Sequence, residues 1–197
     1  TEKFGVIVMK RALIIGVEKL VNELSSILPL ANYQMTSKTK NGIEALRMAQ
    51  RVDPDLIICG WDVSGISSLD LVQNLVHSKI CPVILVLDEK DYVQIEFALK
   101  TNLHHIFMTP LRATDVVAGI IQAEYRFNKE IEDAKELRKV KEELKTRKIV
   151  YQAVLLLITE GLQEESAYTA IRTEAMTSRK TIRAVAEEVV KGKWRPG

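Results

Sequence analysis

Long apolar runs are missing from this sequence. A helix needs roughly 20 consecutive apolar residues to cross a bilayer; LLLI at 155–158 is far too short, so no membrane span is expected. The start TEKFGVIVMKRALIIG is broken by Lys10-Arg11 and lacks a small-residue cleavage pattern, so it does not read as a secretory signal. Cysteine is nearly absent, with only Cys59 and Cys81 in 197 residues. That excludes a disulfide framework and fits a reducing compartment, with the cytoplasm expected. Metal-ligand clusters are missing too. His104 and His105 are adjacent, so in a strand they would point to opposite faces, and no Cys or further His lies nearby. His77 reads as a helix-end residue. No metal and no cofactor are expected.

Strong net charge is lacking as well, at +2, but the charge is unevenly spread. Residues 1–125 hold 12 Lys/Arg against 14 Asp/Glu, and residues 126–197 hold 16 against 12, a change from −2 to +4. A positive excess at one end fits a contact steered by phosphate charge.

What is present between Arg11 and Tyr125 is alternation. Short apolar runs fall at 12–15, 34–38, 56–59, 83–87 and 105–108, with helical patterns near 18–28, 42–51, 67–78, 90–101 and from 111 onward. Val/Ile/Leu-rich strands alternating with helices form parallel sheets covered on both faces. Right-handed crossovers favour a flavodoxin-like doubly wound five-stranded parallel sheet, an α/β fold. Cys59 ends the third strand and Cys81 precedes the fourth, about a strand length apart and beyond the ~7 Å reach of a disulfide. Both read as structural thiols. Met9-Lys10-Arg11 is a natural start for the first strand, which leaves residues 1–9 as an N-terminal extension to a domain over 10–125.

Pro54-Asp55-Leu56-Ile57-Ile58, Gly65, Pro82-Val83-Ile84 and Thr109-Pro110 give this segment a resemblance to response-regulator receiver domains. The resemblance implies a phosphorylation site whose acidic pair, acceptor aspartate, hydroxyl and lysine are here Gly16-Val17, Gly60, Leu87 and Thr109, with Ile106 at the switch aromatic position. Phosphoryl transfer to a carboxylate needs an acceptor oxygen, clustered carboxylates for Mg²⁺ and cations for the transferring group. Gly60, Gly16, Val17 and Leu87 supply none of these. The site therefore reads as degenerate and the domain as a pseudo-receiver, with Asp62 as a solvated loop carboxylate rather than a surrogate acceptor. Trp61 is expected to close the pocket by packing; its alternative is a surface for a regulatory protein or small ligand.

From Ala113 to Arg147 only Gly119 interrupts a helical pattern. Ile131, Ala134, Leu137, Val140 and Leu144 recur at spacings of three or four among Glu and Lys, a short coiled-coil seam. Residues 126–147 are expected to form a linker helix that pairs with a second copy.

Beyond it, three amphipathic stripes predict a small all-α domain over 148–197. The first is Ile149, Val150, Ala153, Leu156 and Leu157; the second is Ala167, Ala170, Ile171 and Ala175; the third is Ile182, Val185, Ala186, Val189 and Val190. Gly161 offers the first break, and Thr177 or Ser178 a cap for the third helix. Such a unit encloses no room for chemistry and reads as a binding module.

Ala153, Glu164-Glu165-Ser166-Ala167-Tyr168, Ile171-Arg172, Ala175-Met176, Arg179 and Val185-Ala186 stand at the spacing of the ANTAR domain, which this segment resembles over about fifty residues. Val154-Leu155 replaces the family's Lys-Gly, and Gln163 replaces its usual Ser or Thr cap. The resemblance implies a bacterial antitermination regulator that binds an RNA hairpin in a nascent leader transcript. RNA loops are read by positioned cations and aromatic stacking, which singles out Arg172, Arg179, Lys180 and Arg183, with Arg147, Lys148 and Tyr168 beside them. Each has a structural rival: Tyr168 is expected in the core, Arg172 can pair with Glu164 or Glu165, and Trp194 in the basic tail is expected to be disordered. A DNA-binding regulator would need a protruding recognition helix, and Val185, Ala186 and Val189 look committed to the core. A protein-interaction adaptor is the other alternative. No enzyme is expected, since the Gly16-Val17-Glu18 loop lacks the hydroxyls and glycines that would cradle a flavin phosphate.

Overall fold

A computed structural model describes residues 8–196. Five strands form one all-parallel sheet: β1 (Lys10–Ile15), β2 (Tyr33–Thr39), β3 (Leu56–Gly60), β4 (Val83–Leu87) and β5 (His105–Met108), in the order β2-β1-β3-β4-β5. The helices between them are α1 (Glu18–Ile27), α2 (Gly42–Val52), α3 (Ser68–Ser78) and α4 (Gln94–Leu99). The expected doubly wound topology is the observed one. Of the N-terminal extension expected over 1–9, residues 1–7 lie outside the described residues, and Val8 and Met9 precede β1 without regular structure.

The period of two along each strand sends alternate residues to two cores. Ala12, Ile14, Leu56, Ile58, Ile84 and Val86 pack under α1 against Leu20, Val21 and Leu24. Leu13, Ile15, Ile57, Cys59, Val83 and Leu85 pack on the other face against Ala45, Leu71 and Leu75. Local chemistry sets the helix starts: the Asn41 carboxamide accepts the Ile43 and Glu44 amides at 2.9 and 3.0 Å, and Ser67 Oγ accepts the Asp70 amide. The stretch expected as one helix near 90–101 is instead a 3-10 turn, Glu89–Asp91, followed by the shorter α4. Tyr92 and Val93 are exposed, so a regular first turn there would bury no apolar face.

A 47-residue helix α5 (Ala113–Thr159) follows, then α6 (Glu164–Thr177) and α7 (Ile182–Val190). Contacts divide the chain into two compact units, one through Ile131 and one from Glu132. In the first, Val116, Ile120 and Ala123 of α5 join the core beside α1. In the second, Ala153, Val154 and Leu157 pack with Ala167 and Ile171 of α6 and Val185, Ala186 and Val189 of α7. The α5 stripe is shifted from the expected one: Val154 is buried, whereas Leu156 is 36% exposed. Val190 is likewise exposed at the end of α7.

The third-helix cap is neither Thr177 nor Ser178. Both hydroxyls donate back into α6, to the Thr173 and Glu174 carbonyls. Arg179 then turns the chain at φ +55°, and the Lys180 amide reaches the Ala175 carbonyl at 3.0 Å, which closes the helix end. Thr181 caps α7, its hydroxyl accepting the Ala184 amide at 3.2 Å. Trp194 is not a loose tail residue: it packs on the three-helix core, while Arg195 donates to the Val189 carbonyl and pairs with Glu160.

Candidate nucleic-acid interface

The carboxyl ends of β1, β3, β4 and β5 surround the cleft where a receiver would hold its phosphate. A cavity of about 460 Å³ lies there, lined in part by Gly60, Trp61, Asp62, Asp88 and Thr109. Trp61 is half-buried against the core and borders the cavity without filling it. Leu20 of α1 closes in from the side. A Cβ on either Gly16 or Gly60 would stand 2.9 Å from Leu20 Cδ2, inside van der Waals contact. The missing carboxylates are thus replaced by apolar packing over the same ground. Thr109 Oγ1 donates to Asp88 Oδ1 at 2.6 Å, and the Glu23 carboxylate accepts the Leu111 amide at 3.2 Å. Among the described residues no cluster of His, Cys, Asp and Glu could hold a metal ion. Val17 contributes only apolar surface, Leu87 is fully buried in the core and does not line the cavity, and Asp62 is exposed.

The other unforeseen residue of this unit is His104. It is buried, and its Nδ1 accepts the Val83 amide at 3.0 Å, which fixes the neutral tautomer with hydrogen on Nε2. Nε2 has no hydrogen-bond partner; the nearest carboxylate, Glu130, stands 3.6 Å away and is held by Lys79 at 2.7 Å. Phe127 meets the ring edge-on, and Arg126 donates to the His104 carbonyl. Burial lowers the His104 pKa against the pull of Glu130. The two thiols are free and buried, and burial pushes each up to about 12, so neither is a reactive thiolate.

In the C-terminal unit the residues singled out from sequence separate into two sets. Lys180 is tied to Glu188 at 2.6 Å, and Arg183 pairs with both Glu142 and Glu187, at 2.7 and 3.0 Å. Arg147, Lys148, Arg172 and Arg179 are exposed, and among the described residues none has a carboxylate partner. The pairing open to Arg172 with Glu164 or Glu165, the rival to an RNA contact, is therefore not formed. Tyr168, expected in the core, is 46% exposed, because Ala167 and Ile171 take the inward face of α6. Tyr151 of α5, which sequence reading passed over, is 62% exposed. Arg147 and Tyr151 are four residues apart on α5, as are Tyr168 and Arg172 on α6, so each pair shares a helix face. Both tyrosines line one groove of about 680 Å³ with Val150, Val154 and Ile182. The signal for Tyr151 was available: an aromatic off the core stripe, one turn from an arginine.

No helix among the described residues is long and apolar enough to cross a membrane. Residues 138–190 match the family model for the ANTAR domain. The transcriptional regulatory protein PdtaR of Mycobacterium tuberculosis is 28% identical over 185 residues, which span 93% of this chain and 90% of PdtaR. Among solved structures, the signal receiver domain of a modulated diguanylate cyclase from Desulfovibrio desulfuricans G20 superposes with TM-score 0.56 at 21% identity, covering 62% of this chain and 98% of that one. The receiver domain of AraT, a response regulator from Geobacillus stearothermophilus, gives TM-score 0.54 at 15% identity, with 62% and 98% covered. At those identities the likeness establishes the fold of the N-terminal unit. The chain thus carries an ANTAR domain at 138–190 behind a receiver-like fold, and it is similar to PdtaR along nearly its whole length.

Proposed function

We propose that this chain is an RNA-binding transcription antitermination regulator that acts without phosphorylation of its receiver-like domain. The observation that carries the RNA reading is the set of unpaired cations, Arg147, Lys148, Arg172 and Arg179, on a unit that also exposes Tyr151 and Tyr168. Unpaired cations can neutralise phosphates without first breaking an ion pair, and exposed aromatics can stack on unpaired bases. The DNA-binding alternative is disfavoured because α7 buries Val185, Ala186 and Val189 and its Arg183 is held by two carboxylates. A purely non-enzymatic role is supported by the loss of the acceptor at Gly60 and by the packing of Leu20 over it. Two buried thiols suit a cytoplasmic protein.

Control then passes through something other than phosphate: a second copy, a regulatory protein, or a small ligand at the receiver-like pocket. A homodimer is supported by Leu137, Val140 and Leu144 of α5, which are exposed at 54%, 45% and 59% along one stripe. The deciding experiment is binding of the full chain to a two-hairpin leader RNA and to a matched duplex DNA. Tighter, salt-dependent binding to the RNA is expected; equal or stronger DNA binding would overturn the reading. Light scattering at micromolar concentration should give a dimer mass, and acetyl phosphate should label no residue. Labelling that maps to Asp62 would end the phosphate-independent account.

A further inference from the structure

The groove between the end of α5 and α6 has a chemistry more specific than a cationic surface. We infer that it is a slot for one unpaired base of an RNA loop, held between Tyr151 and Tyr168; this rests on the RNA-binding reading above. Its floor is apolar, from Val150, Val154 and Ile182, and its two walls are rings left in water at 62% and 46% exposure. Neither tyrosine hydroxyl has a hydrogen-bond partner among the described residues. Large exposed rings on two helices facing one apolar floor present flat area without a cover, and a nucleobase is flat, apolar on its faces and polar at its edge.

The charges in and near the slot say which part of a nucleotide it would take. Arg147 lines the groove, Lys148 follows it in sequence and Arg172 is one turn from Tyr168, and all three are free of carboxylate partners among the described residues. Those cations suit the phosphates on either side of a splayed base. Glu164 and Glu165 line the groove as well. They also favour the start of α6, since acids suit the positive end of a helix. In the groove they repel phosphate and can accept hydrogen from an amino group on a base edge. The groove therefore suits a base whose edge carries an exocyclic amine, with the phosphates left to the cations outside it.

A second copy of the chain is the competing occupant. The apolar stripe that would bring copies together runs through Leu137, Val140 and Leu144. At its next step it meets Arg147 and Lys148, both exposed. Arg147 and Lys148 interrupt the stripe, but Tyr151 falls seven residues past Leu144 on the same face, so the oligomeric state of Tyr151→Ala separates the two occupants.

The test uses the full chain and hairpins of one stem closed by loops of adenosine, of uridine or of abasic sites, with affinity read by fluorescence anisotropy. The adenosine loop should bind at least about tenfold tighter than the abasic loop, a gain within reach of one aromatic stack, with uridine between them. Tyr151→Ala and Tyr168→Ala should each bring adenosine to the abasic level, whereas Tyr151→Phe should keep the preference. A 2-aminopurine in the loop should be quenched by the wild type and by Tyr151→Phe but not by Tyr151→Ala. Both rings are exposed, so these variants should keep the wild-type circular dichroism spectrum. Equal binding of all three loops would overturn the slot and leave the RNA reading standing. Failure to bind any of them would overturn both. A fall from dimer to monomer mass in Tyr151→Ala would give the groove to a second copy and overturn the slot as well.

Discussion

At the carboxyl edge of the sheet, polar side chains answer one another. Thr109 donates to Asp88, Lys90 stands 3.9 Å from the same carboxylate, and Glu23 is used by the Leu111 amide. In the C-terminal unit, Arg147, Lys148, Arg172 and Arg179 have no such partners among the described residues. The first region keeps the frame of a phosphate switch and ties part of its charge internally, although the side chains of Lys19, Asp62 and Asp91 beside the cavity have no partners among the described residues; the second keeps cations available to something outside. A fold can thus outlive its chemistry when packing alone maintains it, whereas a binding surface is maintained by groups that the fold leaves unsatisfied.

The largest test of that contrast removes the frame beneath the available cations. Ile171 is fully buried among α5, α6 and α7. Ile171→Ala should cost about 3 kcal/mol, in the usual range for deleting a large buried aliphatic side chain. A small helical unit has little stability to lose, so urea denaturation followed by circular dichroism should show the C-terminal unit unfolding early. The unit through Ile131 should keep its own transition, and RNA binding should disappear. A single shared transition would show that the two regions are not separate in stability.

A smaller effect is expected from restoring the acceptor. Gly60→Asp places a Cβ 2.9 Å from Leu20 Cδ2, the end of a side chain that borders the cavity and can shift into it, and should destabilise by no more than about 1 kcal/mol. Leu20→Ala in the same chain should recover part of that loss, a coupling readable in a double-mutant cycle. Neither variant should take up phosphate from acetyl phosphate, since Gly16, Val17 and Thr109 still supply no metal carboxylates and no cation. Uptake by Gly60→Asp alone would mean that the frame kept more of its chemistry than its charges suggest.

The sheet was legible because Val/Ile/Leu runs of strand length alternate with helical periods, and the sheet order follows from crossover handedness. The C-terminal bundle was legible from its stripes. What failed to show were choices between equivalent neighbours. Thr177, Ser178 and Thr181 all can cap a helix, and only the backbone turn at Arg179 decides for Thr181. Tyr168 and Ile171 both suit a core, and the rotation of α6 decides for Ile171. Leu20 reads as an ordinary core leucine in sequence; its place over Gly16 and Gly60 depends on the approach of α1 to β3. The split of cations into tied and untied sets is only partly visible: Arg183 and Glu187 stand at the i, i+4 spacing of a helix pair, whereas Glu142 lies 41 residues from Arg183.

A pH dependence comes next and belongs to the N-terminal unit. The His104 pKa is lowered in the fold, chiefly by burial, and that of His105 is lowered by burial and by Arg126. A histidine held neutral in the fold is protonated first in the unfolded chain, whose pKa is about 6.5. Its contribution is therefore complete above that pH and is lost as pH falls through it toward the lower folded value. The midpoint of urea unfolding should drop between about pH 7 and pH 5 by this linkage. Asn in place of His104 can still accept the Val83 amide and does not titrate, so His104→Asn should flatten most of the slope and leave a remainder from His105. An unchanged slope would show that carboxylates such as Glu130 govern the acid limb instead.

The smallest effect on folding, and the sharpest on the comparison, comes from single cations of the C-terminal unit. Each cation that neutralises a phosphate adds roughly 0.7–0.9 to the slope of log affinity against log salt. Arg172→Ala should lower that slope by about one such step. Arg179 offers a cleaner separation of binding from folding. Its φ of +55° is a left-handed position that glycine occupies without strain, so Arg179→Gly should hold or raise stability while the salt slope falls. Lys180→Ala and Arg183→Ala should change the slope less, because those cations already face Glu188, Glu142 and Glu187. Exposed ion pairs are weak, however, and RNA can compete for a cation held by one carboxylate more readily than for one held by two. The expected order of loss is therefore Arg172 and Arg179 first, Lys180 next and Arg183 last. If Arg183→Ala lost as much slope as Arg172→Ala, its pairs would have to open on binding. The distinction between tied and available charge would then describe the free protein only, and the same doubt would extend to Asp88 and Lys90 in the receiver-like pocket.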